Sequence, residues 1–329
     1  MEFPGSPDRR LDTLIWFPTA SRSSEITPNA KIARGGPWPL LIFSHGYSGM
    51  PSNAVALARE LVGRGYVVAA PAYPLTSRES FAKIKQFDHT DTANQVVDIR
   101  FLIDSLLADP FLRSAIDPDR IAIAGHSLGA QTSYFAVYGQ TIRDPRIKAV
   151  VMMAPGDPVQ SALTSGLGFG GVPHAEVSVP ALFLMGDQDI VTRTFTGGQY
   201  APYYRIDGPK YAVMIKGGTH GWFLAGIGPA TPDVDLTNPD CRGFAPSRSP
   251  TAEIANKMVA AARQKAGGVV PGCEEQVPLI GAARQLEITM NAVRDFLDGY
   301  LKADAAALSA LRQIDRKYSG DVELRYEDK

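Results

Sequence analysis

Short apolar runs alternate along the chain with longer segments of helical period, and this alternation constrains the fold more than any other feature. Continuous apolar runs are typical of strands buried in a parallel sheet, whose crossover connections are helices. Seven runs are predicted to be strands: Leu11–Phe17, Leu40–His45, Tyr66–Tyr73, Arg120–Ser127, Ile147–Pro155, Ala181–Asp187 and Tyr211–Gly217. Four segments are predicted to be helices: Asn53–Val62, Thr92–Leu107, Leu128–Tyr138 and the closing helix Gln285–Leu301. The sequence therefore predicts one α/β domain over residues 1–329, with a mostly parallel central sheet and helices on both faces.

A segment rich in proline, glycine and aspartate, residues 225–283, interrupts this pattern before the closing helix. We interpret it as an insertion, within which Ser249-Pro250 followed by Thr251–Lys265 fits an N-cap and one amphipathic helix. The insertion is either a lid over a site or a surface excursion packed by its own side chains.

The two cysteines of the chain, Cys241 and Cys273, both lie in this insertion. One disulfide and two free buried thiols are the alternatives, because the cysteine pattern does not define the compartment. The first ten residues contain no apolar core of a secretory signal. The compartment is therefore left open between cytoplasmic and exported with a trimmed leader, and a disulfide would favour export.

Composition and charge exclude several classes of function. The chain has 33 Lys and Arg residues against 34 Asp and Glu, so its net charge of -1 gives no long-range attraction to nucleic acid or to an anionic membrane. The apolar runs are shorter than the ~20 residues that span a bilayer. The sequence contains neither H-x-x-x-H nor a Cys/His cluster, and the glycines of Gly166–Gly171 follow no strand-to-helix turn. We therefore expect no nucleic-acid partner, no membrane span, no metal and no cofactor.

The chemistry of the chain centres on Gly125-His126-Ser127-Leu128-Gly129, which matches G-x-S-x-G. The motif lies where a predicted strand meets a predicted helix, which is the context of a nucleophile elbow. In such an elbow the serine occupies a strained turn, and the flanking glycines leave room for the backbone. Ser127 is the predicted nucleophile, and an ordinary glycine-rich turn is the alternative.

A serine hydroxyl needs a base, and five histidines are available. Four of them are adjacent to the serine or precede the elements where a base is expected: His45, His89, His126 and His174. His220 lies in a glycine-rich loop after the last predicted strand and is the predicted base.

An acid is needed to orient the base, and Gly186-Asp187-Gln188-Asp189 follows the strand between Ser127 and His220. Asp189 is the predicted acid, Asp187 is the close alternative because it ends the strand, and Asp157 is a weaker third choice. Serine, acid and histidine in this chain order are typical of the α/β-hydrolase fold.

The oxyanion of an acyl-transfer reaction needs two positioned N–H donors. The backbone amide of Leu128, which follows the nucleophile, and that of Tyr47, in the loop after an early strand, are the predicted donors. The rings of Tyr47 and Trp222 are predicted to contact substrate, and packing in the core is the alternative for both.

Several stretches carry a resemblance to known enzymes: Ser44-His45-Gly46, Gly65-Tyr66-Val67-Val68, the elbow, and Phe296-Leu297-Asp298-Gly299-Tyr300-Leu301. They resemble the α/β-hydrolase superfamily, and within it the dienelactone-hydrolase-like and platelet-activating-factor-acetylhydrolase-like esterases. Cutinase-type polyester hydrolases are similar over the oxyanion and elbow loops alone. Dienelactone hydrolases proper use a cysteine nucleophile, so Ser127 implies ordinary ester chemistry instead. The insertion departs from the family pattern, so family substrate preferences do not carry over.

The sequence thus predicts a serine carboxylic-ester hydrolase that acts through an acyl-enzyme. Its expected partner is a small-molecule or polymer ester of small to medium size, including aromatic and polyester-type esters. The alternatives are an acyltransferase or peptidase with the same triad, or a binding protein without catalytic activity on the same scaffold. Oligomeric state is left open.

Overall fold

The computed structural model describes residues 9–20, 30–84, 91–140, 142–158, 177–195, 198–224, 238–244, 264, 273 and 277–328. In these ranges the strands are β1 (Thr13–Trp16), β2 (Trp38–Ser44), β3 (Val67–Pro71), β4 (Ile116–His126), β5 (Ile147–Met153), β6 (Ala181–Gly186), β7 (Lys210–Ile215) and β8 (Val322–Glu327). They form one sheet in the order β1-β3-β2-β4-β5-β6-β7-β8. The six inner strands are parallel, while β1 and β8 run antiparallel to their neighbours at the two edges.

The helices are α1 (Val55–Val62), α2 (Arg78–Ile84), α3 (Asp91–Ala108), α4 (Leu128–Tyr138), α5 (Ile190–Phe195), α6 (Ala201–Arg205), α7 (Ala282–Leu301), α8 (Ala305–Leu311) and α9 (Ile314–Lys317). Short 3₁₀ turns lie at Pro51–Ala54 and Pro239–Phe244.

Helices cover both faces of the sheet because successive residues of a strand point to opposite sides. In β2, Leu41 and Phe43 pack in one core with residues of α1 and α7. Leu40 and Ile42 pack in the other core with residues of α3 and α4. The inner strands are therefore buried on both faces, which explains their continuous apolar sequences.

The predicted fold class is confirmed, and each of the seven predicted strands is present with shifted ends. Leu128–Tyr138 begins and ends as predicted. The closing helix is not the last element, since α8, α9 and β8 follow it. The predicted helix Thr251–Lys265 and the glycine segment Gly166–Gly171 lie outside the described residues, apart from Gln264. Among the described residues, no helix has both the length and the apolarity needed to cross a bilayer.

The topology brings four loops to one edge of the sheet. β2, β4, β6 and β7 are parallel, so their carboxyl ends meet at the same edge, where ligands bind in open α/β sheets. The loops after these strands contain Tyr47, Ser127, Asp189 and His220, respectively.

Candidate active site

Ser127 forms a one-residue turn between β4 and α4. Its φ of 56° and ψ of -118° lie in a region that residues with a side chain rarely adopt and that costs about 1–3 kcal/mol. Its backbone N–H donates to the carbonyl of Met153 at the end of β5, at 2.9 Å, which ties the turn to the sheet. A Cβ added to Gly129 would lie 2.0 Å from the carbonyl oxygen of Ser44. The helix therefore packs onto β2 only because residue 129 is glycine.

His220 and Asp189 are in direct contact. Nδ1 of His220 lies 3.0 Å from both carboxylate oxygens of Asp189. Asp189 is fully buried, whereas the His220 side chain keeps 15% of its surface exposed. With the Nδ1 proton directed at the carboxylate, Nε2 is the ring nitrogen left to exchange a proton.

Helix α5 holds the carboxylate of Asp189 in place. Asp189 precedes the helix, and its Oδ1 accepts the backbone N–H of Thr192 at 2.8 Å, as an N-cap residue does. Its Oδ2 accepts the hydroxyl of Thr192 at 2.6 Å. Both oxygens are thus held by donors besides the histidine, which restricts rotation of the carboxyl group.

The two groups of the pair shift each other's pKa. Burial alone would raise the pKa of Asp189, but attraction to His220 and hydrogen bonds from His220 and Thr192 outweigh it and lower the pKa. Burial acts to lower the pKa of His220, but the charge and hydrogen bond of Asp189, together with the charge of Asp240, raise it above the usual range. The site therefore stabilises the imidazolium, the form that a general base takes during the reaction.

The two other candidate acids are engaged elsewhere. Oδ1 of Asp187 accepts the backbone N–H of Gly217 at 2.7 Å and so caps the turn after β7. Asp157 forms an ion pair with Arg205 at 3.1 Å. Of the three carboxylates that the sequence offered, the structure brings Asp189 to the histidine ring.

The loop that carries His220 is fixed on two sides. The backbone N–H of Gln188 donates to the carbonyl of Gly218 at 2.9 Å, which joins this loop to the loop of Asp189. On the other side, Gln285 of α7 accepts the N–H of Thr219 at 2.9 Å and donates to its carbonyl at 2.8 Å. The position of the imidazole therefore depends on the adjacent strand loop and on the long helix α7.

His126 connects this loop to the elbow. Nε2 of His126 lies 2.7 Å from the carbonyl oxygen of His220, and the centroids of the two rings are 4.9 Å apart. Burial, with the charge of His220, lowers the pKa of His126 to about 3. His126 is therefore neutral at physiological pH, with its proton on the nitrogen that donates to His220. The contact places the residue before Ser127 against the backbone of the predicted base.

The loop after β2 passes close to Ser127. A Cβ added to Gly46 would lie 3.2 Å from the Cβ of Ser127. Tyr47 follows directly and is half-buried. On the other side of Ser127, Leu128 opens α4, and the first amides of a helix have no acceptor within the helix. The predicted oxyanion donors thus come from the two segments next to the nucleophile.

A buried histidine supports this loop. Nδ1 of His45 donates to the carbonyl of Gly46 at 2.8 Å, and its Nε2 accepts the backbone N–H of Tyr73 at 3.1 Å. Burial lowers the pKa of His45 to about 4, so the ring is neutral and retains its acceptor. The backbone N–H of Ser48 also donates to the carbonyl of Thr76, at 2.8 Å. The His45 ring therefore holds the loop after β2 against the backbone of Tyr73.

Trp222 lies two residues after His220, and its side chain is buried, with 2% of its surface exposed. Its predicted role in substrate binding stays a prediction, as does that of the Tyr47 ring. The eliminated His89 and His174 lie outside the described residues.

Sequence reasoning missed two residues of the site, Thr192 and Asp240. Thr192 was detectable as the third residue of a short helix that Asp189 caps. Asp240 accepts the backbone N–H of His220 at 2.9 Å. Its position next to Cys241 is the one sequence signal that could have indicated it.

Of the two alternatives for the cysteines, the disulfide is present: Cys241 and Cys273 are bonded, with an S–S distance of 2.08 Å. Free thiols are therefore excluded for both residues. Disulfides persist in oxidising compartments, so the bond is compatible with the exported alternative. In the described part of the chain, His, Cys, Asp and Glu form no group of three or more that could hold a metal ion.

The strand order, the strained serine between β4 and α4, and the buried acid–histidine pair define an α/β-hydrolase fold. The chlorophyllase family model matches residues 24–165, which include the loop after β2 and the elbow. The solved structure of a ferulic acid esterase from Streptomyces cinnamoneus superimposes with a TM-score of 0.61 at 21% sequence identity. That alignment covers 97% of this chain and 89% of the esterase. A comparison with curated proteins found no significant match.

These comparisons support the α/β-hydrolase fold over nearly the whole chain. The dienelactone-hydrolase-like and platelet-activating-factor-acetylhydrolase-like branches, which the sequence resembles, remain a prediction.

Proposed function

We propose that this protein is a serine carboxylic-ester hydrolase that acts through an acyl-enzyme. The observation that carries the proposal is the buried contact of Asp189 with His220, 3.0 Å long, in a loop joined to the nucleophile elbow through His126. A protein that only binds a ligand has no chemical need for this arrangement. The fold neighbour named as a ferulic acid esterase supports an ester as substrate.

In the proposed reaction, Oγ of Ser127 attacks the acyl carbon while its proton passes to Nε2 of His220. Asp189 holds the Nδ1 proton and stabilises the imidazolium. The amides of Leu128 and Tyr47 donate hydrogen bonds to the oxyanion. His220 then returns the proton to the departing alcohol, which leaves the acyl group on Ser127. A water molecule, deprotonated by His220, attacks the acyl carbon, and His220 returns the proton to Oγ of Ser127 as the bond between Oγ and the acyl group breaks and the acid leaves.

We propose a single domain over residues 1–329, with the segment 225–283 inserted in it. The proposed substrates are small to medium esters, including aromatic and polyester-type esters, with the rings of Tyr47 and Trp222 lining the acyl pocket. Neither metal nor cofactor takes part in the steps above.

The test of the proposal is the initial rate on p-nitrophenyl esters from acetate to palmitate, together with methyl ferulate and an aromatic diester. Hydrolysis that depends on Ser127 supports the proposal. The rate as a function of acyl chain length measures the size of the acyl pocket. Absence of hydrolysis on every ester, with the protein shown to be folded, would contradict it. The same panel with added alcohol or amine separates a hydrolase from an acyltransferase.

We expect kcat/KM to rise with pH, with a midpoint above 6.5, the ordinary pKa of histidine. His220 acts as a base only when neutral, and Asp189 and Asp240 favour its charged form, so the neutral form is populated at higher pH. The measurement is kcat/KM at a series of pH values, with the released acid quantified by chromatography. A midpoint below 6.5 would contradict the electrostatic assignment of His220.

A further inference from the structure

A second carboxylate, that of Asp240, lies beside the acid–histidine pair and has no place in the reaction described above. Its Oδ2 accepts the backbone N–H of His220 at 2.9 Å and that of Ile190 at 3.4 Å. Ile190 directly follows Asp189. One carboxylate oxygen therefore joins the backbone of the predicted base to the backbone next to the predicted acid.

The segment of Asp240 is attached to the acid loop at two further points. The side-chain amide of Asn238 donates to the carbonyl of Gln188 at 2.7 Å, and Asn238 is itself buried. The side-chain oxygen of Asn238 accepts the backbone N–H of Asp240 at 2.9 Å. The next residue, Cys241, is bonded to Cys273. A covalent bond and a buried side chain thus hold Asp240 from both sides.

Among the residues whose side chains the structure describes, Asp240 has no Lys or Arg within ion-pair distance. A carboxylate that is shielded from water without a cation costs free energy, and a nearby imidazolium is the opposite charge that offsets this cost. Within the described part of the chain, the titratable groups that face His220 are Asp189, Asp240 and His126. His126 is neutral, so Asp240 is the second negative charge that acts on the imidazole.

We propose that Asp240 is a positioning residue of the reaction: it holds the His220 loop against the Asp189 loop, its charge stabilises the imidazolium, and the Cys241–Cys273 disulfide keeps it in place. This inference rests on the proposed function of the site. The bridge fixes the backbone of the base, while Asp189 fixes its ring. Together the two carboxylates leave Nε2 of His220 with one orientation.

The electrostatics of the site agree with this geometry. Burial, and then the negative charge of Asp189, raise the pKa of Asp240 to about 7, while His220 opposes the shift. The carboxylate of Asp240 therefore gains a proton in the pH range around 7. Its charge is present on the alkaline side of that range, where the reaction needs a stabilised imidazolium.

The test compares two substitutions of Asp240. Asp240→Asn retains an acceptor oxygen at the same place but removes the charge. We expect it to keep kcat within about threefold while moving the acid limb of the kcat/KM profile about 0.5–1 pH unit lower, because His220 loses a negative neighbour. Asp240→Ala removes the bridge as well, and we expect kcat to fall about 10- to 100-fold with little change in KM.

The matched control is Asp304→Asn. Asp304 also accepts two backbone N–H groups, those of Ala306 and Ala307, but it caps α8 and contacts no residue of the site. We expect its pH profile and kcat to equal those of the wild type. A shift of similar size in Asp304→Asn, or an unchanged acid limb in Asp240→Asn, would overturn the electrostatic role. An unchanged kcat in folded Asp240→Ala would overturn the positioning role.

The disulfide is tested with the double variant Cys241→Ser/Cys273→Ser, whose folding is checked by thermal melting. We expect kcat of the double variant to fall, as it does in Asp240→Ala. A kcat equal to that of the wild type would overturn the anchoring role of the disulfide. Failure of the proposed function is a separate result, because it leaves the wild type without hydrolysis that depends on Ser127. The Asp240 variants are therefore interpreted only once the wild type shows hydrolysis that depends on Ser127.

Discussion

Ser127→Ala is expected to lower kcat for ester hydrolysis by about 10⁴- to 10⁶-fold while leaving the protein folded. Oγ of Ser127 is the atom that bonds to the acyl carbon in the proposed reaction, and alanine has no atom that can replace it. Alanine keeps the Cβ that lies against the loop of Gly46, so the turn keeps its contacts. The measurement is kcat on a p-nitrophenyl ester, with the melting temperature as a check of folding.

The control for this substitution is Ser105→Ala. Ser105 lies on the exposed side of α3, where its hydroxyl donates to the carbonyl of Phe101 at 2.8 Å. Its removal should leave kcat unchanged. If Ser127→Ala retained more than about 1% of the wild-type rate, a covalent acyl-enzyme on Ser127 would be untenable.

Asp189→Asn is expected to lower kcat by about 10³- to 10⁴-fold, because an amide cannot accept every bond that the carboxylate accepts. Both oxygens of Asp189 contact Nδ1 of His220 and each also accepts a donor of Thr192. The amide nitrogen of the substituted side chain would face a donor, and the imidazole would lose both its orientation and its charge partner.

The comparison with Asp187→Asn separates the two acids that the sequence left open. Asp187 accepts the N–H of Gly217, which an amide oxygen can still do, so we expect a loss below about tenfold. Both variants are measured as kcat/KM over the full pH range. A larger loss in Asp187→Asn than in Asp189→Asn would transfer the acid role to Asp187.

Much of this architecture was predictable because its signals are local. The inner strands are buried on both faces, so their apolar runs stand out against the helical segments. The elbow was recognisable because close packing of α4 on β2 requires glycine at residue 129, two residues after the serine. The loops of His220 and Asp189 were found from their places after consecutive strands, since parallel strands present their carboxyl ends at one edge.

The remaining features depend on contacts between distant residues, and the sequence carries little trace of them. Asp240 accepts a hydrogen bond from His220, twenty residues earlier, and reaches it through a segment without periodic pattern. The disulfide of Cys241 was only one of two alternatives, because two cysteines without a known compartment do not indicate their redox state. β8 was missed because charged residues occupy half of its positions: Glu323, Arg325 and Glu327.

The hydrogen bonds that support the loop after β2 could not be predicted from the sequence either. Thr76, which accepts the N–H of Ser48 through its carbonyl, donates its hydroxyl to Asp91 at 2.9 Å. Gln95 donates to the same hydroxyl at 2.8 Å and accepts that of Thr132 on α4 at 2.5 Å. This buried chain of polar groups joins the proposed oxyanion loop to the helix of the nucleophile. Thr76 lies in a turn and the other three residues lie at ordinary helix positions, so no sequence motif marks this set of contacts.

The charged strand β8 has a consequence for the protein in concentrated solution. It pairs along the whole of β7, from Lys210–Glu327 to Ile215–Val322, and presents alternate charged side chains outward. Unpaired edges of apolar strands are templates for aggregation, and charges on an edge strand discourage it. Loss of β8, by proteolysis or truncation, would uncover the backbone of the apolar β7. The first sign of such damage should then be self-association of the molecule, before its core unfolds.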